Sequence, residues 1–352
     1  MLAGHQAANA SRPLNWLDLM AGCGVRALRW GHEAASLAPA ATRIFANDAD
    51  PERLIWLESN LASLRSAGVA LTLSTRSAEV LLAETFLAGQ TFDFIDLDAF
   101  GSPGALLQPA LKTLAFGGIL FLASTDGRSP TGHDRPGAVR HLGASARVHP
   151  ASWELALRQQ LGLIAREAWM LGFGLEPLCS FSEGRTFRIA VRLRKRPCPG
   201  EEAQLGMLAR CSICGAQQHQ TLLKIRQWSS CDCLEGEAHL AIHGPLWLGP
   251  LQDPDFLADL PAFSISLAPK THHLLRRLQE DAADLPMVWS TAELAQRLRL
   301  AGPPPLAALV KALRCCGHRA AASGVMASQV RTEAGLPELL QVCRDLDEEG
   351  FK

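Results

Sequence analysis

Several features that would place a protein in a membrane or on a polyanion are missing from this 352-residue sequence. Apolar runs such as Gly117 to Ala123 are far too short to cross a bilayer. The N-terminus lacks a basic region followed by an apolar run, which predicts no signal peptide and a cytoplasmic protein. The formal net charge is −1, so any binding to nucleic acid must come from a local basic patch. The sequence also shows no internal repeat and no low-complexity tract.

The length and the 48% hydrophobic content are enough for two or three domains, each with its own core. Strand and helix patterns alternate through the first half, which predicts an α/β fold with a doubly wound sheet. The last two of these predicted strands meet at Glu183-Gly184 without an intervening helix and are expected to form an antiparallel hairpin. The predicted strands are Leu14 to Leu19, Thr42 to Ala46, Ala70 to Ser74, Phe92 to Leu97, Gly118 to Ser124, Leu175 to Ser182 and Thr186 to Arg194.

A glycine-containing turn follows the first predicted strand. The strand ends at Asp18, and Gly22 and Gly24 precede an amphipathic helix, so a ligand can approach the backbone at the helix N-terminus. The next strand ends at Asp48, and an acid at this distance from the glycines is the usual partner of a ribose diol. Neither a third phosphate-binding glycine nor a Gly-Lys-Ser/Thr sequence follows, which favours S-adenosylmethionine over a dinucleotide. An ordinary strand-to-helix turn is the alternative interpretation.

The segment Ile95 to Pro103 is the most informative stretch of the chain. An apolar strand ends there in an acid, a small residue and an aromatic, Asp98-Ala99-Phe100. At the carboxyl end of a strand, Asp98 can accept a hydrogen from an exocyclic amine while Phe100 stacks on a flat base. The alternative is that Asp98 or Ser102 caps a helix starting at Pro103.

Cysteines cluster beyond a domain boundary predicted at Pro197 and Pro199. Cys211 and Cys214 form a C-x-x-C pair, and after sixteen residues Cys231 and Cys233 form a C-x-C pair. Two close pairs separated by such a loop can bind one tetrahedral structural zinc. Disulfides or free thiols are the alternatives, although nothing in the sequence indicates an oxidising compartment.

Two further regions of the sequence have a predicted role. Six basic residues and no acid fall between Arg185 and Arg196, which indicates contact with nucleic acid, the alternative being a solvated sheet face. Helical patterns after Thr271, from Thr291 to Leu300 and from Leu306 to Cys316 predict a winged-helix-like module. The tail from Arg344 to Lys352 is polar and is expected to be frayed.

Taken together, these motifs resemble the tRNA guanine-26 dimethyltransferases over nearly the whole chain. The resemblance implies a class I methyltransferase sheet at 1–196 and a zinc-binding and tRNA-binding region at 197–352, with a zinc ribbon at about 205–250 and the helical module at about 265–345. It implies methyl transfer from S-adenosylmethionine to the 2-amino group of guanine 26 in tRNA. By position, Arg26 and Asp48 would hold the cofactor, Ser77 and Ala78 would lie by its adenine, and Asp98 would be the catalytic acid residue. The motifs that carry the resemblance are the glycine turn, the strand end at Asp48, IDLDAFGSP, Ala123-Ser124-Thr125-Asp126, Gly174-Leu175-Glu176-Pro177-Leu178, the cysteine cluster and GPLWLGPLQDPDF.

The chain departs from this family at several positions. Ala99 replaces the proline that usually follows the catalytic Asp, and Ser77 replaces the acid usually found by the adenine, with Glu79 nearby. The family's segment with an aromatic-Asn-Pro motif has no counterpart before Leu14, so either one wall of the pocket is expected to be missing or the start is misassigned. Two other functions stay open: methylation of a different exocyclic amine in RNA or DNA, and non-catalytic binding of RNA or cofactor. No protein partner and no membrane are expected.

Overall fold

The structure is a computed structural model that describes residues 1–37, 42–231, 233, 239–263, 267–281 and 285–348. A seven-stranded sheet forms the centre of the first half, and all seven strands lie where the sequence predicts them. The strands are β1 Leu14–Asp18, β2 Thr42–Asn47, β3 Ala70–Ser74, β4 Phe92–Ala99, β5 Leu114–Ser124, β6 Gly174–Glu183 and β7 Thr186–Arg194.

The strand order in this sheet is β3-β2-β1-β4-β5-β7-β6. Strands β1 to β5 pair in parallel, whereas β7 runs antiparallel to both β5 and β6, as the predicted hairpin requires. The order changes direction between β1 and β4, which are direct neighbours. In open α/β sheets, ligands bind outside the carboxyl ends of the strands at such a switch point. The residues that follow β1, β2 and β4 are therefore the candidates for ligand binding.

Helices cover both faces of the sheet. One face packs against α5, α6 and α8 through an aliphatic cluster that includes Leu82, Leu107 and Leu161. The other face packs against α1 to α4 through a second cluster that includes Trp16 and Phe94. The helices are α1 Leu2–Ala8, α2 Val25–Arg29, α3 Arg53–Asn60, α4 Ala62–Ser66, α5 Ala78–Leu87, α6 Gly104–Thr113, α7 Arg135–Leu142 and α8 Ser152–Met170.

Two helices from the second half also pack against the first domain. They are α9 Pro254–Asp259 and α10 Pro269–Gln279, and their buried Leu257, Leu275 and Leu278 join the second cluster. The sequence pattern assigned the helix after Thr271 to the C-terminal module, and this assignment is wrong. The apolar face of α10 is covered by the first domain instead.

The cysteine-containing region forms a three-stranded antiparallel sheet. Its strands are β8 Leu205–Cys211, β9 Gln217–Thr221 and β10 Leu240–Trp247, in the order β10-β8-β9. Leu246 and Leu248 pack with Leu155 of α8. The ribbon therefore rests on the long helix of the first domain.

The last part of the chain is a small module with its own core. It contains β11 Val288–Ser290, α11 Thr291–Leu298, α12 Leu306–Cys315, β12 Ala320–Ala322, β13 Gln329–Thr332 and α13 Leu336–Glu348, with strand order β11-β13-β12. Helices beside a three-stranded antiparallel sheet agree with the winged-helix-like prediction. The predicted frayed tail is wrong up to Glu348, because α13 continues to that residue and buries Val342 and Cys343. Residues 349–352 of that tail lie outside the described residues. Within the described ranges, no helix is both long and apolar enough to span a membrane.

Candidate methyl-transfer site

The glycine turn after β1 is fixed by the acid that ends the next strand. The Gly22 amide donates to Asp48 Oδ2 at 2.8 Å, and the Asp50 amide donates to Asp48 Oδ1 at 3.0 Å. Gly22 and Gly24 both have positive φ, at 56° and 80°. Residues with a Cβ atom rarely adopt such angles. A Cβ on Gly24 would lie 3.0 Å from Leu57, so this position also needs glycine for packing. The predicted residues Gly22, Gly24 and Asp48 are therefore brought together.

Asn47 joins this turn to the end of β3. Its buried side-chain amide donates to the carbonyl oxygens of Leu19 and Arg76, at 3.1 and 2.9 Å. This holds the loop that carries Ser77 and Ala78 at the same edge of the sheet as Asp48. Ser77 also has a structural role, because its Oγ accepts a hydrogen bond from the Val80 amide and caps α5.

Two acidic side chains are buried side by side where β1 meets β4. Asp18 and Asp96 are register partners in the parallel pair and are 1% and 2% exposed. Burial and the nearby Asp96 raise the pKa of Asp18 to about 7. Burial raises the pKa of Asp96 to about 6, although Arg26 and Arg188 oppose the shift. Arg26 lowers the pKa of Asp18, but neither Asp18 oxygen makes a hydrogen bond of normal geometry within the described chain, so this buried carboxyl group is left without a direct polar partner.

Arg26 connects this buried pair to Asp98. Its Nε lies 3.3 Å from Asp96 Oδ2, and its guanidinium donates a hydrogen bond to Asp98 Oδ2. The Asp98 side chain is 24% exposed, so it lies at the opening of the site. Asp96 was missed by the sequence interpretation. The available signal was its spacing of two from Asp98, which places both side chains on one face of β4.

Asp98 does not cap a helix. Helix α6 begins at Gly104, with Pro103 at the cap position and no side-chain capping bond, so the capping alternative is wrong for Asp98 and for Ser102. The loop between β4 and α6 is held through Gly101 instead. Its amide donates to Thr125 Oγ1 at 2.7 Å, and its carbonyl accepts from Ser124 Oγ at 2.9 Å.

Phe100 lies in this loop and is 99% exposed. It makes no aromatic contact with another described residue. Because Gly101 fixes the backbone next to it, Phe100 presents a free ring beside the partly exposed Asp98. This arrangement offers a carboxylate and a stacking surface to one flat ligand.

A cavity of about 460 Å³ opens on the face of β4 that carries Asp96. Charged residues, among them Arg26, Asp96 and Arg188, supply part of its wall, and aliphatic and aromatic side chains supply the rest. The aromatic residues in its wall are Trp30, Phe94, Phe121, Phe181 and Phe263. The site therefore has a recess with both charged and apolar surface next to the group that contacts Asp98.

The predicted metal ligands converge on one point. The ligand sulfurs of Cys211, Cys214, Cys231 and Cys233 all lie within 4.8 Å of one another. Cys211 and Cys233 are 3.5 Å apart, and Cys214 and Cys231 are 3.2 Å apart. Burial opposes ionisation of Cys211, but hydrogen bonds from the amides of Cys214 and Ile213 lower its pKa, whereas burial raises the pKa of Cys214. Four thiols at the end of a ribbon fit the donor set of a structural zinc.

The basic run from Arg185 to Arg196 is not the open patch that the sequence predicts. Arg188 pairs with Glu183 at 3.2 Å and is only 20% exposed. Arg192 and Arg194 share Glu176, at 3.1 and 3.2 Å, and the Arg192 guanidinium also lies over the Phe256 ring. The acids that pair with these arginines are distant from them in sequence or face them across the hairpin. Much of the predicted charge is therefore neutralised on the sheet.

The doubly wound sheet with its terminal hairpin, the glycine turn beside Asp48 and the acid at the end of β4 define a class I methyltransferase. The family model described as "N2,N2-dimethylguanosine tRNA methyltransferase" matches residues 3–344. The chain belongs to this family.

Curated relatives and one solved structure agree with this assignment. A tRNA (guanine(26)-N(2))-dimethyltransferase of Methanoregula boonei is 29% identical over 346 residues, covering 96% of this chain and 86% of the relative. One of the same name from Thermococcus kodakarensis is 28% identical over 352 residues, covering 95% and 88%. The structure of Trm1 from Pyrococcus horikoshii with S-adenosyl-L-methionine superposes with a TM-score of 0.80 at 22% identity, covering 97% of this chain and 92% of that one. This last similarity concerns the fold.

Proposed function

We propose that this protein transfers methyl groups from S-adenosylmethionine to the exocyclic 2-amino group of guanine 26 in tRNA. Family membership and the names of the relatives support the substrate. The observation that carries the chemistry is the position of Asp98, partly exposed at the end of β4 and beside the free ring of Phe100. A cytoplasmic location stays a prediction from the sequence.

The residues at the ends of β1 and β2 fit the cofactor. Asp48 would hold the ribose, and the turn at Gly22 and Gly24 would let the cofactor approach the backbone. S-adenosylmethionine supplies an electrophilic methyl group on a sulfonium, and its methionine end carries an ammonium. The unpartnered buried carboxyl of Asp18 fits a cationic ligand, because an uncompensated buried acid otherwise carries a large desolvation cost. Arg26 would line the same part of the site, at the methionine end of the cofactor. Ser77 and Ala78 would lie by the adenine.

Asp98 would accept a hydrogen of the guanine amine. The lone pair of this amine is delocalised into the ring, so the amine is a poor nucleophile unless it is oriented and relieved of a proton. As the cofactor would transfer its methyl group to the nitrogen and its sulfur would keep the electron pair of the broken carbon–sulfur bond, the amine proton would pass to the Asp98 carboxylate. Positioning the amine in line supplies much of the rate, and general-base help adds about 10²- to 10⁴-fold.

Phe100 would hold the base. A guanine within the folded tRNA must leave its stack to reach the site, and stacking on an aromatic side chain compensates part of that cost. Because Phe100 is fully exposed, it can meet the base as the base enters. We therefore assign Phe100 to substrate binding next to Asp98.

The four cysteines would bind one structural zinc that supports the ribbon. Binding of zinc to four thiolates contributes folding energy, so removal of the metal should loosen the C-terminal half first. We expect about one zinc per chain by metal analysis and loss of the metal in Cys231→Ser. The matched control is Cys198→Ser, an exposed cysteine outside the cluster. Metal content unchanged in Cys231→Ser, or well under one zinc in the fresh protein, would contradict the assignment.

Mass spectrometry of nucleosides tests the reaction directly. Transfer RNA is incubated with the protein and labelled S-adenosylmethionine, digested, and searched for N2-methylated guanosine. We expect label in guanosine of a tRNA with guanine at position 26 and none in the same tRNA carrying adenine there. Label on a different exocyclic amine, or none in any nucleic acid, would refute the proposed function.

A further inference from the structure

Four exposed arginines lie on segments that adjoin the loop carrying Phe100, and none of them has a side-chain partner among the described residues. We call this set the arginine rim: Arg128 and Arg185 on loops, and Arg135 and Arg140 on α7. Among the described residues, none of their guanidinium groups makes an ion pair, a hydrogen bond or a cation–π contact. They differ in this respect from Arg188, Arg192 and Arg194 of β7, which are all paired with acids.

The acids within the rim are directed toward their own backbone. Asp126 accepts from the Ser129 amide at 3.0 Å, and Asp134 caps α7 by accepting from the Gly137 amide at 2.9 Å. Neither carboxylate contacts a rim guanidinium. The positive charge of the rim is therefore available to a ligand from solvent.

Hydrogen bonds connect the rim to the loop that carries Phe100. The amides of Thr125 and Asp126 both donate to the Gly101 carbonyl, at 3.2 and 3.3 Å. His141, in the last turn of α7, lies 3.4 Å from Asp126 Oδ2. A Cβ on Gly104 would lie 3.1 Å from the carbonyl oxygen of His141, so α7 also packs against the start of α6.

The hairpin tip reaches the same region. A Cβ on Gly127 would lie 3.9 to 4.0 Å from the backbone carbonyl and the Cβ of Arg185. Arg185 therefore lies next to the segment that carries Arg128. The segments that carry the rim arginines therefore adjoin one another and the loop of Phe100, although they are distant in sequence.

We propose that the arginine rim binds the phosphate backbone that flanks the target guanine in tRNA. This inference rests on the proposed function and adds the surface that grips the RNA. A base that is turned out of its stack brings its flanking phosphates to the edge of the pocket, and unpaired guanidinium groups are well suited to bind them, often through two hydrogen bonds. Such contacts fix the position of the RNA on the protein but do not depend on its base sequence.

The test compares the triple variant Arg128→Ala/Arg135→Ala/Arg140→Ala with the wild type. Binding of tRNA is measured by fluorescence anisotropy between 50 and 200 mM salt, together with KM for tRNA, kcat and cofactor affinity. Each lost phosphate contact should lower the slope of log K against log salt by about 1, so we expect a decrease of about 3. KM for tRNA should rise at least about tenfold at physiological salt, while kcat and cofactor affinity change less than about twofold.

The matched control is Arg65→Ala, an exposed arginine of α4 near the start of β3, at the opposite edge of the sheet. It should leave the salt slope and KM unchanged. If the triple variant unfolds, Arg140→Ala alone should lower the slope by about 1.

An unchanged salt slope and KM in the folded triple variant would overturn the proposal that the rim binds phosphates. An equal decrease of the slope in the Arg65→Ala control would do the same. A fall in kcat with unchanged KM would also overturn it, because that result indicates distortion of the site. Failure of the proposed function is distinguishable: the wild type would then methylate no tRNA, whatever the rim variants bind.

Discussion

Two clusters of charged side chains lie inside this protein, and they differ in balance. The first, at the methyl-transfer site, has the carboxyl groups of Asp18, Asp96 and Asp98 around Arg26, while Arg188, which also lowers the pKa of Asp96, is paired with Glu183. The second joins α8 to the C-terminal module and has two acids and two arginines. It consists of Glu154, Arg158, Asp281 and Arg331, all at most 1% exposed.

The second cluster is fully hydrogen-bonded. Arg331 bonds both oxygens of Glu154, at 2.6 and 2.9 Å, and both oxygens of Asp281, at 2.8 and 3.1 Å. Arg158 bonds Glu154 and the carbonyls of Trp247 and Gly249. Burial opposes ionisation of Glu154, but the two arginines lower its pKa below the ordinary value. None of these four side chains has a buried polar atom without a partner.

The cluster around Arg331 has the properties of a structural element, whereas the cluster around Arg26 has those of a functional site. A balanced network that satisfies all its polar atoms fixes the relative position of the elements it joins. An unbalanced cluster with an orphaned acid is costly by itself and fits a site that a cationic ligand completes. Substitutions in the two clusters should therefore change different quantities.

The largest expected effect is on the rate of methyl transfer in Asp98→Asn. Asparagine keeps the shape but cannot accept the proton, so turnover should fall by about 10²- to 10⁴-fold while cofactor affinity and Tm change little. Methylation of tRNA, calorimetric titration of the cofactor and thermal unfolding are measured on the same preparation. Near-normal methylation would show that Asp98 is not the base.

Glu154→Gln should lower the stability of the protein and leave the rate of methyl transfer nearly unchanged. Removal of one charge leaves Arg331 and Arg158 buried without full compensation, which typically costs about 3 to 5 kcal/mol of unfolding free energy. The rate per folded molecule, measured well below the melting transition, should stay near that of the wild type.

The control for this variant is Glu33→Gln, which removes a surface ion pair with Arg29 along one helical segment. Surface pairs at this spacing contribute only about 0.3 to 0.5 kcal/mol. Equal losses in the two variants would show that burial of the Glu154 network does not matter, and denaturant unfolding measures both.

The smallest expected effect is the pH dependence caused by Asp18, which amounts to at most about 1.4 kcal/mol over the single pH unit from 6 to 7. Its pKa is about 7 in the folded protein, above the ordinary value of 3.8, so the folded state binds more protons than the unfolded state between these values. Stability without cofactor should therefore fall as pH rises through this window, by up to about 1.4 kcal/mol per pH unit from this group.

Asp18→Asn should remove this contribution, most visibly between pH 6 and 7, above the pKa of about 6 of Asp96, which is at least half ionised there. Saturating S-adenosylmethionine should also flatten the wild-type profile, because a cationic ligand favours ionised Asp18. Parallel profiles of wild type and Asp18→Asn would show that the Asp18 pKa is not raised by the fold.

The sequence predicted the features that local patterns encode. Short apolar runs located all seven strands, because strands that are buried on both faces of a sheet are apolar along most of their length. The glycine turn and Asp48 were predicted to meet because both follow parallel strands, whose carboxyl ends share one edge. The cysteine spacing predicted a cluster because a short knuckle can present two thiols to one point.

Other properties depended on residues far apart in the chain. The pairing of Arg192 with Glu176, the packing of α10 on the first domain and the burial of Arg331 against Glu154 all need contacts that no local pattern records. The same is true of the arginine rim, whose members come from the loop after β5, a hairpin tip and a helix. Local chemistry determined which residues can bind, whereas tertiary packing decided which charges are neutralised and which are left free, because the energy of a charge depends on its neighbours in space and on its exposure to water.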